Sequence, residues 1–162
     1  MIYKFFNCPP LSLRSAAETD FLDVVNLSRK AFADAEPIIG QPYTSIEDIQ
    51  QRIEIGYEIY TVKNGQELIA SVFVLPEDDE VENALFFGRL AVQEAWRGKG
   101  VGSAVVKAII SYAKDLNRKL VLLNFQQAHS SLQAYYERFG FKQVGELIVW
   151  KNLPIIPMRL EL

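Results

Sequence analysis

The spacing of apolar residues predicts four helices and a larger number of strands. Between residues 21 and 32, and again between residues 101 and 116, apolar side chains recur every three or four positions, which keeps one helical face apolar. Similar patterns follow Thr44 and run between residues 132 and 139. Runs rich in branched and aromatic residues predict strands at 11–15, 57–63, 67–75, 84–92, 120–126, 142–151 and 155–162. This mixture of helices and strands indicates the α/β class.

Local signals mark the ends of several elements. Thr44 and Glu47 form the pattern of a capping box for the second helix, and Gly56 ends it. Asn-Gly at positions 64–65 predicts a hairpin between two strands. The predicted irregular segments are a lead-in at 1–10, a loop at 34–43 that holds two prolines and a glycine, and a turn at 152–154.

A basic, glycine-rich turn separates the strand at 84–92 from the helix at 101–116. This turn, residues 97–103, has the sequence RGKGVGS. The first amides of a helix have no partner within the helix, and the helix dipole favours negative charge there. A right-handed crossover through the helix would make the strand at 120–126 parallel to the strand at 84–92. The sequence therefore predicts a local phosphate site at this turn.

Composition limits the classes of function. A chain of 162 residues, 49% hydrophobic and 23% charged, is expected to form one folded domain over residues 1–162. A net charge of -3 and a pI of about 5.3 argue against nucleic-acid binding, which needs a broad basic surface. With one cysteine, Cys8, and one histidine, His129, we expect neither a disulfide framework nor a metal site. The apolar runs are too short to cross a membrane, so we expect a soluble, cytoplasmic protein without a membrane partner.

The turn fits neither of the two common nucleotide motifs. A Walker A loop places a Ser or Thr directly after its lysine, whereas Lys99 lies between two glycines. A dinucleotide fingerprint needs a third glycine where this chain has Val105, and the following strand ends in no acidic residue for a ribose. The spacing alone also allows the interpretation that the turn is purely structural and binds no ligand.

A wider pattern accompanies the turn. Arg97, Gly100 and Gly102 match the signature R/Q-x-x-G-x-G/A, which follows Leu-Ala-Val at 90–92 and precedes the element YYERFGF at 135–141. In these residues the chain resembles the GNAT N-acetyltransferase superfamily, over roughly residues 84–146. The resemblance implies a central mixed, largely antiparallel sheet of six to seven strands, flanked by about four helices. It also implies a splay between the fourth and fifth predicted strands.

The resemblance implies acetyl-CoA as cosubstrate, with its pyrophosphate at the turn. Gly100 and Gly102 would let the backbone approach the phosphates, and Arg97 and Lys99 would add positive charge. The pantetheine arm would lie in the splay and pair with the backbone of the strand at 84–92. The expected coenzyme-binding residues are Leu90, Ala91, Val92, Arg97, Gly98, Lys99, Gly100, Val101, Gly102, Ser103 and His129, and no metal is expected.

The resemblance also suggests catalytic roles. Tyr136 aligns with the tyrosine that is poised in the family to protonate the departing thiolate, although a core aromatic is the alternative. His129 stands where the family often has an asparagine that contacts the pantetheine. A coenzyme contact, a general base and a simple helix-start residue all stay open for it. The strand at 84–92 has no glutamate to act as base, and the unassigned alternatives are Glu54, Glu58, Glu82 and, through a water, Asn124.

These features predict an acetyl-CoA-dependent N-acetyltransferase that moves an acetyl group to a primary amine by direct transfer. A non-catalytic acyl-CoA-binding sensor and a transferase of another acyl group are the alternatives. The acceptor, a small-molecule amine or a peptide amine, is expected to enter between the loop at 34–43 and the segment at 145–157. Asp34 and Glu36 could attract its ammonium group. Whether the chain forms a homodimer stays open.

Overall fold

The structure is a computed structural model that describes residues 11–162 and the backbone of residues 3–5. The described part of the chain holds nine strands: β1 (Tyr3–Phe5), β2 (Leu11–Ser15), β3 (Glu58–Asn64), β4 (Glu67–Leu75), β5 (Ala84–Val92), β6 (Leu120–Gln126), β7 (Lys142–Gln143), β8 (Ile148–Trp150) and β9 (Leu153–Glu161). Its five α-helices are α1 (Phe21–Ala31), α2 (Glu36–Ile39), α3 (Ile46–Glu54), α4 (Val101–Asp115) and α5 (Ser131–Glu137).

The strands form one mixed sheet in the order β1-β2-β3-β4-β5-β6-β9-β7, and β8 pairs with β9. Every pairing is antiparallel except that of β5 with β6, which α4 connects as a crossover helix. The prediction of a mixed, largely antiparallel sheet with the strand at 120–126 parallel to the strand at 84–92 is confirmed.

The strand count exceeds the predicted six to seven for two reasons. Part of the predicted lead-in, Tyr3–Phe5, pairs with β2, while Pro9 and Pro10 lie outside the described residues. The predicted strand at 142–151 is divided into β7 and β8, which pair with opposite ends of β9. The last turn lies at Lys151 and Asn152, rather than at 152–154. Both residues have positive φ, as a two-residue type I′ turn requires.

The parallel pair β5 and β6 separates along its length. Four residue pairs are in register, from Ala84 with Leu120 to Phe87 with Leu123. Beyond Phe87 the two strands no longer pair, although β5 continues to Val92 and β6 to Gln126. The predicted splay is therefore present, and it opens beside the start of α4.

Helices cover both faces of the sheet. On one face, the apolar side of α4 packs with α5 residues against β4, β5 and β6. On the other face, α1 and α3 pack against β3, β4 and β5. Seven consecutive residues of β4 are buried, from Leu68 to Val74, because both of its faces lie within a core. This is the continuous apolar pattern expected of a central strand.

Two local predictions were wrong in detail. The N-cap of α3 is Ser45, whose hydroxyl accepts a hydrogen bond from the Asp48 amide at 3.1 Å, and Thr44 instead lies buried beside Ser28. The predicted loop at 34–43 contains the short helix α2. Its proline, Pro37, lies in the first turn, where a missing amide hydrogen costs no helical bond, and Gly40 ends the helix at φ 71°.

Candidate active site

A cleft of about 1400 Å³ follows the splay between β5 and β6. Its walls come from the second half of β5, the end of β6 and the beginnings of α4 and α5. The end of α1 and residues from both acceptor-side segments, including Tyr43 and Trp150, complete it. The cleft therefore joins the glycine-rich turn to the side of the molecule where an acceptor was predicted to enter.

The glycine-rich turn forms the N-terminus of α4 at one end of this cleft. Gly100 is the N-cap, and its φ of 84° lies in the left-handed region that an L-residue with a Cβ rarely adopts. An added Cβ at Gly100 would meet nothing within 4 Å, so backbone conformation rather than space requires glycine there. The next three amides, of Val101, Gly102 and Ser103, are the first of the helix and lack intrahelical acceptors. Together they offer donors for an anion at the wall of the cleft.

Tyr135 lies against this helix start. Its hydroxyl is 3.3 Å from the Ser103 hydroxyl, and a Cβ added at Gly102 would come within 3.1 Å of it. Arg138 lies over the face of the Tyr135 ring, 5.0 Å from its centroid, and brings a positive charge to the cleft. Arg138 stands within the YYERFGF element, but no sequence motif predicted a role for it.

Most residues expected to bind the coenzyme share this cleft. Arg97 lines it and donates from Nε to the Val92 carbonyl at 3.1 Å. Lys99 does not line the cleft, and its ammonium lies over the Trp96 ring, 5.2 Å from the centroid. The other expected residues that line the cleft are Leu90, Ala91, Val92, Gly98, Gly100, Val101, Gly102, Ser103 and His129.

Tyr136 is 8% exposed and lines the cleft. Its ring packs edge-on against Phe87 and Phe141, so the side chain is also part of the core. Burial raises the pKa of Tyr136 well above its usual range, and the neighbouring Tyr135 adds to this rise. The hydroxyl therefore keeps its proton at neutral pH, as a proton donor must before it acts.

His129 joins the two sides of the cleft. Its Nε2 lies 2.6 Å from Oδ2 of Asp34, which follows α1 on the acceptor side. Both residues line the cleft. Glu36, the other acid expected to attract an ammonium group, is occupied elsewhere: it accepts hydrogen bonds from Arg29 and from the Tyr43 amide.

A β-bulge in β5 forms the floor of the acceptor side. Ser71 pairs with Ala91 and Phe73 with Gly88, so Arg89 and Leu90 together oppose the single residue Val72. Arg89 has a φ of 51°, in the left-handed region. The extra residue turns the Arg89 side chain under α3, where its Nη1 donates to Asp48 and, at 3.1 Å, to the Thr44 hydroxyl.

Arg89 was missed by the sequence analysis. Its partner Asp48 stands 41 positions earlier on another element. The one local sign of a bulge is the neighbouring Gly88, because a glycine inside a strand often marks one. Tyr43 was also not predicted as a site residue. Its ring stacks on Phe32 at 4.5 Å and meets the Trp150 ring edge-on at 6.0 Å. These rings bring the two predicted acceptor-side segments into contact at the cleft.

A family model described as the acetyltransferase (GNAT) family matches residues 21–141. The chain belongs to this family.

Individual relatives agree with that assignment. N-acetyltransferase 8B of Homo sapiens is 28% identical over 116 residues, which are 68% of this chain and 51% of that protein. This chain thus spans about half the length of the human relatives it matches. The structure of smu.2055 from Streptococcus mutans UA159 has a TM-score of 0.78 at 18% identity and covers 92% of this chain and 98% of its own.

A second solved structure is spermidine N-acetyltransferase from Vibrio cholerae, in complex with CoA and spermine. It has a TM-score of 0.73 at 17% identity and covers 93% of this chain and 95% of its own. At these identities the two structural matches show the GNAT fold and nothing finer.

The four residues named above as alternative general bases do not lie together in the cleft. Asn124 lines the cleft, whereas Glu54, Glu58 and Glu82 do not. Glu58 accepts hydrogen bonds from Tyr60 at 2.5 Å and from Tyr112 at 3.0 Å, away from the cleft. Within residues 11–162, Asp34 is the one carboxylate that lines the cleft.

One buried donor in the cleft lacks a partner. Gln126, at the end of β6, is 5% exposed and lines the cleft, and its Nε2 has no hydrogen-bond partner in the described part of the chain. Leaving such a group unpaired is costly, so it favours a ligand that brings an acceptor atom. Together with the open amides of α4, this donor fits a coenzyme whose phosphates and amide carbonyls are hydrogen-bond acceptors.

None of the helices in the described part of the chain is long and apolar enough to cross a lipid bilayer. Among the same residues, no group of three or more His, Cys, Asp or Glu side chains is arranged to hold a metal ion.

Proposed function

We propose that this chain is an N-acetyltransferase that takes acetyl-CoA as donor and a small primary amine as acceptor. One observation carries the proposal: a single cleft leads from the open amides at the start of α4, past Tyr136, to an acceptor side lined by Tyr43 and Arg89. Membership of the GNAT family and the named activity of the human relative support it. A cytoplasmic location of the protein remains a prediction from the sequence.

In this proposal the glycine-rich turn binds the pyrophosphate of acetyl-CoA. The amides of Val101, Gly102 and Ser103 and the side chains of Arg97 and Arg138 are the groups available to hold its phosphates. The pantetheine arm would lie in the splay, beside the half of β5 that does not pair with β6 and within reach of Gln126.

Transfer then forms one bond and breaks one. The amine nitrogen attacks the thioester carbonyl carbon, the C–S bond breaks, the amine loses a proton and the thiolate gains one. Tyr136 supplies the proton to the thiolate, because it lines the cleft and its hydroxyl is protonated at neutral pH. No carboxylate of β5 is available as base, so the amine proton leaves through water, for which Asn124 is a polar contact in the cleft.

Calorimetry with acetyl-CoA tests the donor half of the proposal. Gly100→Ala should weaken binding about 5- to 30-fold, since forcing an L-residue into the left-handed region costs about 1–2 kcal/mol. Gly65→Ala is the matched control: Gly65 also has positive φ with open space around it, but it lies in the β3–β4 turn and not in the cleft. Equal affinities for the parent and both variants would contradict the proposed cradle.

A second candidate function is an acyl-CoA-binding sensor without catalysis. The observation in its favour is the lack of a free carboxylate base in the cleft, since Asp34 is bound to His129. Thiol release in the presence of a panel of amines separates the two functions. Binding of acetyl-CoA without thiol release for any amine would support the sensor.

A further inference from the structure

The charges around the cleft are unbalanced. Among its described lining residues, the basic side chains are Lys30, Arg52, Arg89, Arg97 and Arg138, and Asp34 is the one acid. Arg97 and Arg138 lie at the coenzyme end, but Arg52 and Arg89 lie at the acceptor end, where an acyl acceptor needs to dock. A polycationic amine would be repelled there, whereas an acceptor with a negative group would be attracted.

Arg89 is held in a position to bind such a group. Its side chain is 7% exposed and lies between two rings, 5.0 Å from the Tyr43 centroid and 5.4 Å from the Phe73 centroid. Its two hydrogen bonds within the described residues both use Nη1. The donors of Nε and Nη2 have no such partner, and they belong to a planar fork that matches a carboxylate.

Asp48 does not neutralise this site. The same carboxylate also accepts from Arg52 Nε at 3.1 and 3.3 Å, so one negative charge serves two guanidinium groups. Burial lowers the pKa of Arg89, and the like charge of Arg52 lowers it further. Asp48 raises the pKa but does not offset these two effects, so a second anion would stabilise the charged form of Arg89.

The bulge sets the distance between this charge and the reaction. Arg89 is followed directly by Leu90, whose backbone lies on the half of β5 that does not pair with β6, where the thioester end of the coenzyme would lie. An anion held by Arg89 would thus be close to the amine that attacks. An acceptor that carries its negative group near its amine fits both positions.

We propose that the acceptor is an α-amino acid or a small amino-acid derivative, and that Arg89 binds its carboxylate. This inference rests on the proposed transferase function and adds a substrate class to it. Arg89 acts as a specificity-determining residue, and Asp48 and the rings of Tyr43 and Phe73 position it.

The test compares each of a panel of L-amino acids with its own amide, which is matched in shape and lacks the carboxylate charge. Thiol release from acetyl-CoA gives kcat/KM for both members of each pair. For the preferred amino acid, the parent should favour the acid over the amide by about 10- to 100-fold, the range for a charged hydrogen-bonded contact. In Arg89→Gln this ratio should fall to about 1. The ratio, unlike activity itself, is insensitive to a partial loss of folded protein.

Two further variants sharpen the test. Arg89→Lys keeps the charge but loses the fork, so it should restore only part of the ratio. Arg29→Gln makes the same charge change in a surface pair with Glu36, outside the cleft, and should keep the parental ratio. An acid-to-amide ratio near 1 in the parent, or an unchanged ratio in Arg89→Gln, would overturn the proposal and leave Arg89 as a structural link between β5 and α3.

Failure of the proposed transferase function can be distinguished from failure of the carboxylate site at Arg89. If no amine releases thiol, calorimetry of the same amino acids against the protein saturated with coenzyme A still examines Arg89. Binding that is lost in Arg89→Gln and kept in Arg29→Gln would support the carboxylate site without catalysis. Equal binding of acids and amides, or no binding of either, would contradict it.

Discussion

His129 Nε2 and Asp34 Oδ2 lie 2.6 Å apart, although 95 positions separate the two residues in the sequence. The contact joins the segment after β6, on the coenzyme side, to the segment after α1, on the acceptor side. It ties together two walls of the cleft that opens at the splay between β5 and β6. His129 therefore has a structural partner at its Nε2.

Replacing His129 tests whether this pair has a binding or a catalytic role. His129→Asn removes the imidazole but keeps a polar side chain of the kind often found there in the family. We expect KM for acetyl-CoA to rise a few-fold and kcat to stay within about threefold, because Asp34 occupies Nε2. A general base contributes typically 10² to 10⁴ in rate, so a loss of that size in kcat at saturating substrates would instead make His129 the base.

Gly102 and Tyr135 make a second pair that can be tested. A Cβ at position 102 would lie 3.1 Å from the Tyr135 hydroxyl, closer than ordinary contacts, although the family signature admits alanine there. We expect Gly102→Ala to weaken acetyl-CoA binding by about three- to tenfold in calorimetry, because Tyr135 is displaced against the cradle. Tyr135→Phe removes the hydroxyl, so the double variant should recover most of that loss. A double variant as weak as Gly102→Ala alone would show that the contact is not the cause.

Tyr136 carries a prediction about pH. Because burial raises its pKa, the hydroxyl should stay protonated to at least about pH 10, the value for an unperturbed tyrosine. The kcat profile should therefore show no descending limb from Tyr136 between neutral pH and about pH 10. Tyr136→Phe should lower kcat by about 10² to 10⁴ across this range, while acetyl-CoA binding is kept. A parental limb near neutral pH that disappears in Tyr136→Phe would contradict the raised pKa.

The raised pKa values of buried tyrosines also affect the free energy of unfolding. A tyrosine whose pKa is higher in the folded state than in the unfolded state stabilises the fold fully below the unfolded value, and this contribution is lost as the pH rises beyond it. Tyr43, Tyr57, Tyr60 and Tyr136 are all shifted upward, chiefly by burial. Urea denaturation should give a constant contribution from these residues up to about pH 10 and a falling free energy of unfolding above it. A stability that rises above pH 10 would be inconsistent with these burials.

Asp48 is expected to matter for folding as well as for Arg89. Asp48→Asn removes the one carboxylate shared by Arg52 and Arg89, and leaves two like charges side by side. The free energy of unfolding in urea should fall by about 1.5–3 kcal/mol, the range for hydrogen bonds to charged groups. The side chain of Asp48 is 30% exposed, which keeps this below the cost of breaking a fully buried pair. Glu47→Gln, on the exposed side of the same helical turn, is the control and should change stability little.

The sequence allowed prediction of what depends on local pattern. The apolar face of α4 is buried as predicted at Val101, Val105 and Ile109, because a 3.6-residue period specifies a face without reference to the rest of the chain. The end of α5 is equally local in origin, because a glycine followed by an apolar residue is a common C-terminal cap: Phe141 donates to the Tyr136 carbonyl at 3.4 Å and Gly140 to the Glu137 carbonyl at 2.9 Å. The splay followed from the family resemblance and not from spacing.

The acceptor side could not be predicted in the same way. Arg89 owes its position to a bulge, and a bulge is a mismatch between two strands that neither strand shows alone. Threonine is a residue type that often caps helices, yet the Thr44 hydroxyl is buried in hydrogen bonds with Ser28 and Arg89. The N-cap of α3 is therefore Ser45. The short helix α2 was not predicted because a proline usually indicates a loop. Pro37, however, lies in the first turn of α2, where proline is compatible with a helix.

The proposed activity of the cleft is the transfer of an acetyl group from acetyl-CoA to an amine. The most direct measurement incubates the protein with acetyl-CoA and the amino-acid panel, and quantifies free thiol and N-acetylated product in the same samples. Both products should appear in equal amounts, both should depend on the protein, and both should fall by about 10² or more in Tyr136→Phe. Acetyl-CoA bound with measurable affinity while neither thiol nor acetylated amine accumulates with any acceptor would contradict it.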